Sequence, residues 1–275
     1  MTDSKKFISP GAWFSMVYPS GWCEAEDGEG SFLFYNPEVW DGNFRISAYK
    51  EEAAERGAMN YGNEGVQQEL KENRNARLVT VGNRKCAYSV ECFEEEDQVF
   101  ESHLWIVGID NLLFECTFTV LKGEPTALAE QVIASIELRK EGVKYPAEMI
   151  PVRLSEIYLI DESFEWTAKI VKEHLSVDFQ GVEEDLEKIQ QIVDSGVIGR
   201  KKREDWLALG IAVCVIMTNE IEGLLWKTLV DGNREAPVLV YQDGTVVDPM
   251  KLIWSKIKAG EPCNVVEAYE NALNG

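Results

Sequence analysis

Apolar and polar positions alternate through much of the first half of the chain, and recur at helical spacing through much of the second. Ala12 to Tyr18 and Ser31 to Tyr35 read as short strands, separated by a Gly-rich acidic loop from Glu24 to Gly30. In Asn43 to Lys50, Phe44, Ile46 and Ala48 alternate with Arg45 and Ser47, the pattern of a half-buried strand. Glu51 to Asn75 is charged and helix-like towards its end, with Gly57, Gly62 and Gly65 weakening the helix. Three long strands follow as a meander: Arg77 or Lys85 to Glu94, Gln98 to Val107, and Leu112 to Leu121, with turns at Glu95-Glu96-Asp97 and Gly108 to Asn111. In the second of these, Phe100, Leu104 and Ile106 share one face, while Glu101 and His103 share the other. In the third, Glu115, Thr117 and Thr119 point away from the apolar set. One sheet face is therefore expected to be core and the other mixed, with His103 on the solvated side. Thr126 to Leu138 reads as an amphipathic helix through Leu128, Val132, Ile133 and Ile136.

Glu141 to Arg153, with Pro146 and Pro151, has no clear period and reads as a linker between domains at 1–140 and 154–275. Helices are expected from Leu154 to Leu175 and from Val182 to Ile198. Asp205 is the expected N-cap of a helix from Trp206 to Ile221, apolar all round and so central to its domain. A small sheet follows: Leu224 to Val230, Pro237 to Tyr241 and Thr245 to Val247, with turns at Asp231-Gly232-Asn233 and Asp243-Gly244. Asp248-Pro249 opens a helix running to about Gly260, and Asn264 with Glu267 resembles a capping box for a last short helix. The fold class is α+β: an N-terminal antiparallel sheet with flanking helices, then a helix-rich α+β domain with a small antiparallel sheet.

Charge narrows the partners. The 275 residues carry 48 acidic and 27 basic side chains, a formal charge of −21. Residues 1–140 hold 24 acidic and 13 basic, the remainder 24 and 14, so neither half offers a basic surface. Such a chain repels phosphate backbones and anionic lipid heads and suits a basic partner. The stretch before Pro10 lacks an apolar secretory core, and Trp206 to Met217 falls short of the ~20 residues a spanning helix needs. Cys86, Cys92 and Cys116 fall in phase with strand positions expected to be core, and Cys214 lies in the apolar helix. All six cysteines are expected reduced, which places the chain in the cytoplasm. Cysteine and histidine spacings make no zinc pattern, and neither a metal nor a cofactor is expected.

Two motifs in the first half, Pro19-Ser-Gly-Trp22 and Ala134-Ser-Ile-Glu-Leu138, resemble the Mog/PsbP-like fold, which groups a Ran-GTPase-binding protein, photosystem II subunits and bacterial relatives. The second half resembles a small bacterial family of unknown function through Leu209-Gly210, Trp226, Asp231-Gly232, Pro249 and Gly260-Glu261. The resemblance implies a second glycine, usual in that family's apolar helix, where this chain has Cys214. The resemblance implies a fold, and no chemistry.

Among chemical candidates, His103 beside Glu101 has the makings of a general base with an orienting carboxylate, the basis of a hydrolase alternative. A solvated face is the simpler reading of the same pattern. His174 suits the C-terminal end of a helix dipole. Cys23 has no local base. The run Glu94 to Asp97 lacks the spacing of a calcium loop and reads as a charged hairpin turn. Asp27-Gly-Glu-Gly30 has no lysine to make a phosphate loop. Trp40 with Asp41, in a Pro/Gly loop, is either a partner-binding anchor or a lid over the core, and Trp226 with Asp231 poses the same choice. The reading that results is a non-catalytic protein-binding or adaptor protein. An immunity-type protein neutralising a basic toxin is a further alternative.

Overall fold

The computed structural model describes residues 3–28, 30–50, 60–140 and 142–273. Contacts divide the chain into two compact units, Met1–Lys144 and Tyr145–Gly275. Part of the expected helical segment Glu51 to Asn75, residues 51–59, lies outside the described residues.

In the first unit, β1 (Ser4–Ile8), β2 (Phe14–Pro19), β3 (Cys23–Gly28), β4 (Ser31–Tyr35) and β5 (Asn43–Lys50) precede helix α1 (Tyr61–Glu72). The strands β6 (Arg77–Val81), β7 (Arg84–Glu95), β8 (Gln98–Ile109) and β9 (Leu112–Leu121) follow, then α2 (Ala127–Ala134) and the short β10 (Glu137–Leu138). Seven strands pair antiparallel in the order β3-β4-β5-β9-β8-β7-β6, and β1-β2-β10 form a smaller sheet. One face of the large sheet presents Phe34, Phe44, Phe114, Phe118 and Trp105 to Phe14 and Met16 of β2 and to Val132 and Ile133 of α2. The other face carries α1, whose Val66 and Leu70 pack on Ala87, Leu104, Ile106 and Leu113.

Three expectations are corrected here. The acidic segment 24–28 lies within strand β3, because its register with β4 closes through a bulge at Glu24/Glu26 despite the charge. The face of Leu104 and Ile106 is not the main core: β8 is covered on both sides, and Trp105 and Val107 face the larger one. Among the six cysteines, all free, Cys86, Cys116, Cys214 and Cys263 are buried, but Cys92 is exposed along with Cys23. The β7–β8 hairpin overruns the core, so a strand position in phase with Cys86 meets solvent six residues later. Burial pushes the Cys86 thiol up to about 11, which keeps it a neutral core residue.

The second unit holds β11 (Glu148–Pro151), α3 (Leu154–Leu175), a 3-10 turn at Glu183–Asp185, α4 (Leu186–Ser195) and α5 (Arg203–Glu220). After these come β12 (Leu225–Asp231), β13 (Arg234–Val240), β14 (Val246–Val247), α6 (Pro249–Leu252), α7 (Trp254–Ala259) and α8 (Val265–Asn271). The strands form an antiparallel sheet in the order β11-β12-β13-β14. Helix α5 is buried on most sides, from Trp206 to Met217. A Cβ at Gly210 would lie 2.2 Å from the Pro249 carbonyl oxygen, so glycine lets α6 approach the backbone of α5. Asp205 is not the cap of α5: the helix begins at Arg203, and Asp205 lies in the first turn, where a carboxylate meets the dipole. Asp248 and Asn264 do cap, accepting from the backbone N–H of Met250 and Glu267 at 3.1 Å each. Part of the expected linker is structured: Glu148–Pro151 pairs with β12, and four residues are too few to show a period in sequence. No helix among the described residues is long and apolar enough to cross a membrane.

Candidate functional site

The loop between β4 and β5, residues 36–42, is built on an inward-facing tryptophan. The turn Pro19-Ser-Gly-Trp22 closes with the Trp22 backbone N–H donating to the Pro19 carbonyl at 3.0 Å. Trp22 enters the core with no exposed surface, its ring stacked on Phe44 (6.2 Å, 27°) and Phe118 (6.0 Å, 26°). A buried indole N–H needs an acceptor. Asp41 supplies it, since Trp22 Nε1 donates to both carboxylate oxygens at 3.0 and 3.1 Å. Asn36 Oδ1 accepts the backbone N–H groups of Glu38 (3.0 Å) and Val39 (3.3 Å), which closes the first half of the loop. Gly42 has a φ of 104°, and a Cβ there would lie 2.6 Å from Phe118 Cζ, so only glycine lets the chain re-enter β5. These three fixings leave Val39 and Trp40 at the crest, 64% and 50% exposed. Of the pair Trp40 and Asp41, Trp40 faces outward and Asp41 braces the loop from beneath.

Trp226 and Asp231 are not brought together. They sit five positions apart on β12, an odd spacing that points them to opposite faces. Trp226 is half-buried against the second unit's core, and Asp231 is exposed opposite Arg234 at the hairpin turn.

His103 is buried, not solvated, with 6% of its surface exposed. It shares its face with Trp105, and its ring lies against both Tyr88 (6.0 Å) and Trp105 (5.9 Å), which are themselves 5.2 Å apart, so the three rings form a triangle. Nδ1 lies 2.7 Å from the Tyr88 hydroxyl, while Nε2 lies 3.7 Å from Glu101 Oε2 and makes no hydrogen bond among the described residues. Burial lowers the imidazole pKa, opposed in part by the carboxylates of Glu101 and Glu130. Tyr88 is raised by burial, an effect the Arg77 guanidinium above its ring reduces. The group is a cluster of three rings in which His103 is buried, so His103 is not the exposed base on which the hydrolase alternative was built. A His pKa below its unfolded value means that the unfolded chain binds the proton first. Stability from this site is therefore full above the unfolded value and lost as the pH falls towards the folded one. Against His103→Phe, which keeps an aromatic ring there, the wild type should lose thermal stability between about pH 7.5 and about pH 5.5. A constant difference in melting temperature across that range would contradict this.

A buried charged cluster in the second unit was missed from sequence. Arg153, 2% exposed, donates through Nε to Glu156 Oε2 (2.7 Å) and through its η nitrogen to Glu156 Oε1 (2.5 Å) and Glu235 Oε2 (2.6 Å). Thr228 Oγ1 joins them, donating to Glu156 Oε2 at 3.0 Å and accepting the Arg153 backbone N–H at 3.1 Å. Desolvation by itself would lower the Arg153 pKa, but hydrogen bonds and charge from Glu156 and Glu235 hold it above the ordinary value. The visible signal was the Arg-x-x-Glu spacing at the start of α3, which places both side chains on one helix face. The second unit also carries an open hollow of about 620 Å³ lined by Glu183, Glu184, Glu187, Glu220, Leu186 and Val266, in the other unit from His103. No three His, Cys, Asp or Glu side chains gather to hold a metal among the described residues.

Fold and site together define a two-unit α+β protein whose first unit presents a braced aromatic loop. Residues 2–161 match Domain of unknown function (DUF3805), and the chain belongs to that family. Residues 185–269 match Domain of unknown function (DUF3806). A crystal structure of a protein from Bacteroides thetaiotaomicron VPI-5482 is similar over 98% of this chain and 98% of its own, at 63% identity and a TM-score of 0.92. Two other solved structures overlap about half of the chain. Cyanobacterial PsbP from Synechocystis sp. PCC 6803 covers 50% of this chain and 94% of its own, at 14% identity and a TM-score of 0.26. LpqN, involved in cell envelope biogenesis of Mycobacterium tuberculosis, covers 49% and 90%, at 14% identity and 0.27. Scores this low lend no support to a shared role. No curated protein matches the chain.

Proposed function

We propose that this protein works by binding another protein, without catalysing a reaction, and that the loop at Trp40 is the anchor of that contact. The observation that carries the reading is the exposure of Val39 and Trp40 on a loop fixed at three points. A tryptophan held ready before contact loses little conformational freedom on binding, and aromatic anchors of this kind dominate interface energies. The charge of −21 favours a basic partner over nucleic acid or an anionic membrane. Free Cys86 and Cys116 in one core fit the reducing cytoplasm. The test is quantitative affinity enrichment from native cells with wild type, Trp40→Ala and His103→Phe as bait. The reading expects a set of proteins lost with Trp40→Ala and retained with His103→Phe. Identical recovery with wild type and Trp40→Ala would overturn it.

A further inference from the structure

The β7–β8 hairpin overhangs the core at the same end of the large sheet as the Trp40 loop. Asn43 of β5 pairs with Thr119 of β9, Phe100 of β8 with Leu121, and Phe93 of β7 with Phe100. A Cβ at Gly42 would lie 2.6 Å from Val120 Cγ1, and Val120 pairs with Glu101 and Glu101 with Cys92, so the loop leaves the sheet level with the base of the hairpin. The strands β5, β9, β8 and β7 are successive neighbours, so loop and hairpin stand about 14 Å apart, three strand spacings. Phe93 and Phe100 stack on one face of the hairpin at 5.5 Å and 18°, with Phe93 41% exposed, while Val99 points to the opposite face. The turn beyond them is tight: Glu95 pairs with Gln98, and Glu96 and Asp97 take φ of 49° and 63°, the two-residue form whose twist matches the strands. Glu94, Glu95, Glu96 and Asp97 are all exposed and rim the apolar pair, as Glu38 rims Trp40. Lys122 is the one basic side chain in the intervening β9–α2 turn.

The geometry points to a single docking surface across this end of the sheet, from Trp40 to the stacked Phe93 and Phe100, whose occupant is a partner segment with apolar side chains flanked by lysine or arginine. It rests on the protein-binding reading and adds the chemistry of the partner. Charge complementarity selects that occupant: apolar side chains fill the centre, and the carboxylate rim rewards cationic neighbours and rejects acidic ones. A membrane or a nucleic acid would set its phosphates against the same rim.

The test is selection of phage-displayed random peptides on the full-length protein, followed by affinity measurement of the enriched peptides as free synthetic probes. Enriched sequences should carry aromatic or aliphatic residues beside Lys or Arg. Their affinity should fall about tenfold or more with Phe93→Ser and with Trp40→Ala, both being central apolar contacts. It should also fall about tenfold for the variant with Glu94→Gln, Glu95→Gln, Glu96→Gln and Asp97→Asn combined, and between about 50 and about 500 mM salt. Peptides that need Trp40 but bind the hairpin variants unchanged would overturn this proposal and leave the loop reading standing. Peptides indifferent to both, acidic peptides, or no enrichment at all would count against the proposal as well as the surface it extends.

Discussion

Replacing Arg153 by methionine is expected to destabilise the second unit by about 3–5 kcal/mol, the cost typical of breaking a buried ion pair from one side. The guanidinium is 2% exposed and is the cation that Glu156 and Glu235 share. Methionine fills part of the volume but donates nothing, and leaves the buried Glu156 carboxylate, among the described residues, with the hydroxyls of Thr228 and Ser155. The variant Arg153→Met with Glu156→Leu and Glu235→Leu should recover much of the loss, because an apolar replacement of a whole buried charge cluster is often neutral. Urea denaturation of the three proteins, read by a probe in the second unit, measures both effects. A single variant within about 0.5 kcal/mol of wild type would show that the cluster is a surface-type network of little energetic consequence.

The second large effect is at Trp22. Trp22→Ala should cost the first unit about 3–5 kcal/mol, the range for emptying a fully buried large aromatic site, and lower its melting temperature by roughly 10 °C. Two stacking partners, Phe44 and Phe118, lose their neighbour. Trp22→Phe separates packing from bracing, since it keeps a ring but removes the donor to Asp41. It should cost about 1–3 kcal/mol for the unsatisfied carboxylate. It should also raise hydrogen exchange at the amides of Glu38 and Val39, which protection by Asn36 otherwise slows. Unchanged exchange in Trp22→Phe would mean that Asp41 does not hold the loop.

Alternation was enough to locate β5, β8 and β9, and apolar spacing enough for α3, because each is long and has one clear period. It failed where an element is short or covered twice. Glu137–Leu138 and Glu148–Pro151 have two and four residues, and β8 alternates between two apolar environments, so its sequence does not say which is the larger core. His103 was misplaced for that reason. Trp40 stood out as an aromatic in a Pro/Gly loop, but the role of Asp41 depended on Trp22, nineteen residues away and brought to it only by folding. Phe93 and Val99 read as ordinary strand residues, since where a strand outruns its core is a tertiary fact.

The measurement that bears most directly on the binding role is position-resolved photo-crosslinking in native cells, with a benzophenone side chain placed singly at Trp40 and at Tyr158, a 52% exposed residue of α3 in the other unit. A protein anchored through the loop should form a discrete crosslinked product from position 40 and not from 158, and a chain that also carries Phe93→Ser should form less of it. No product from position 40, or the same product from both positions, would contradict a protein-binding role centred on this loop.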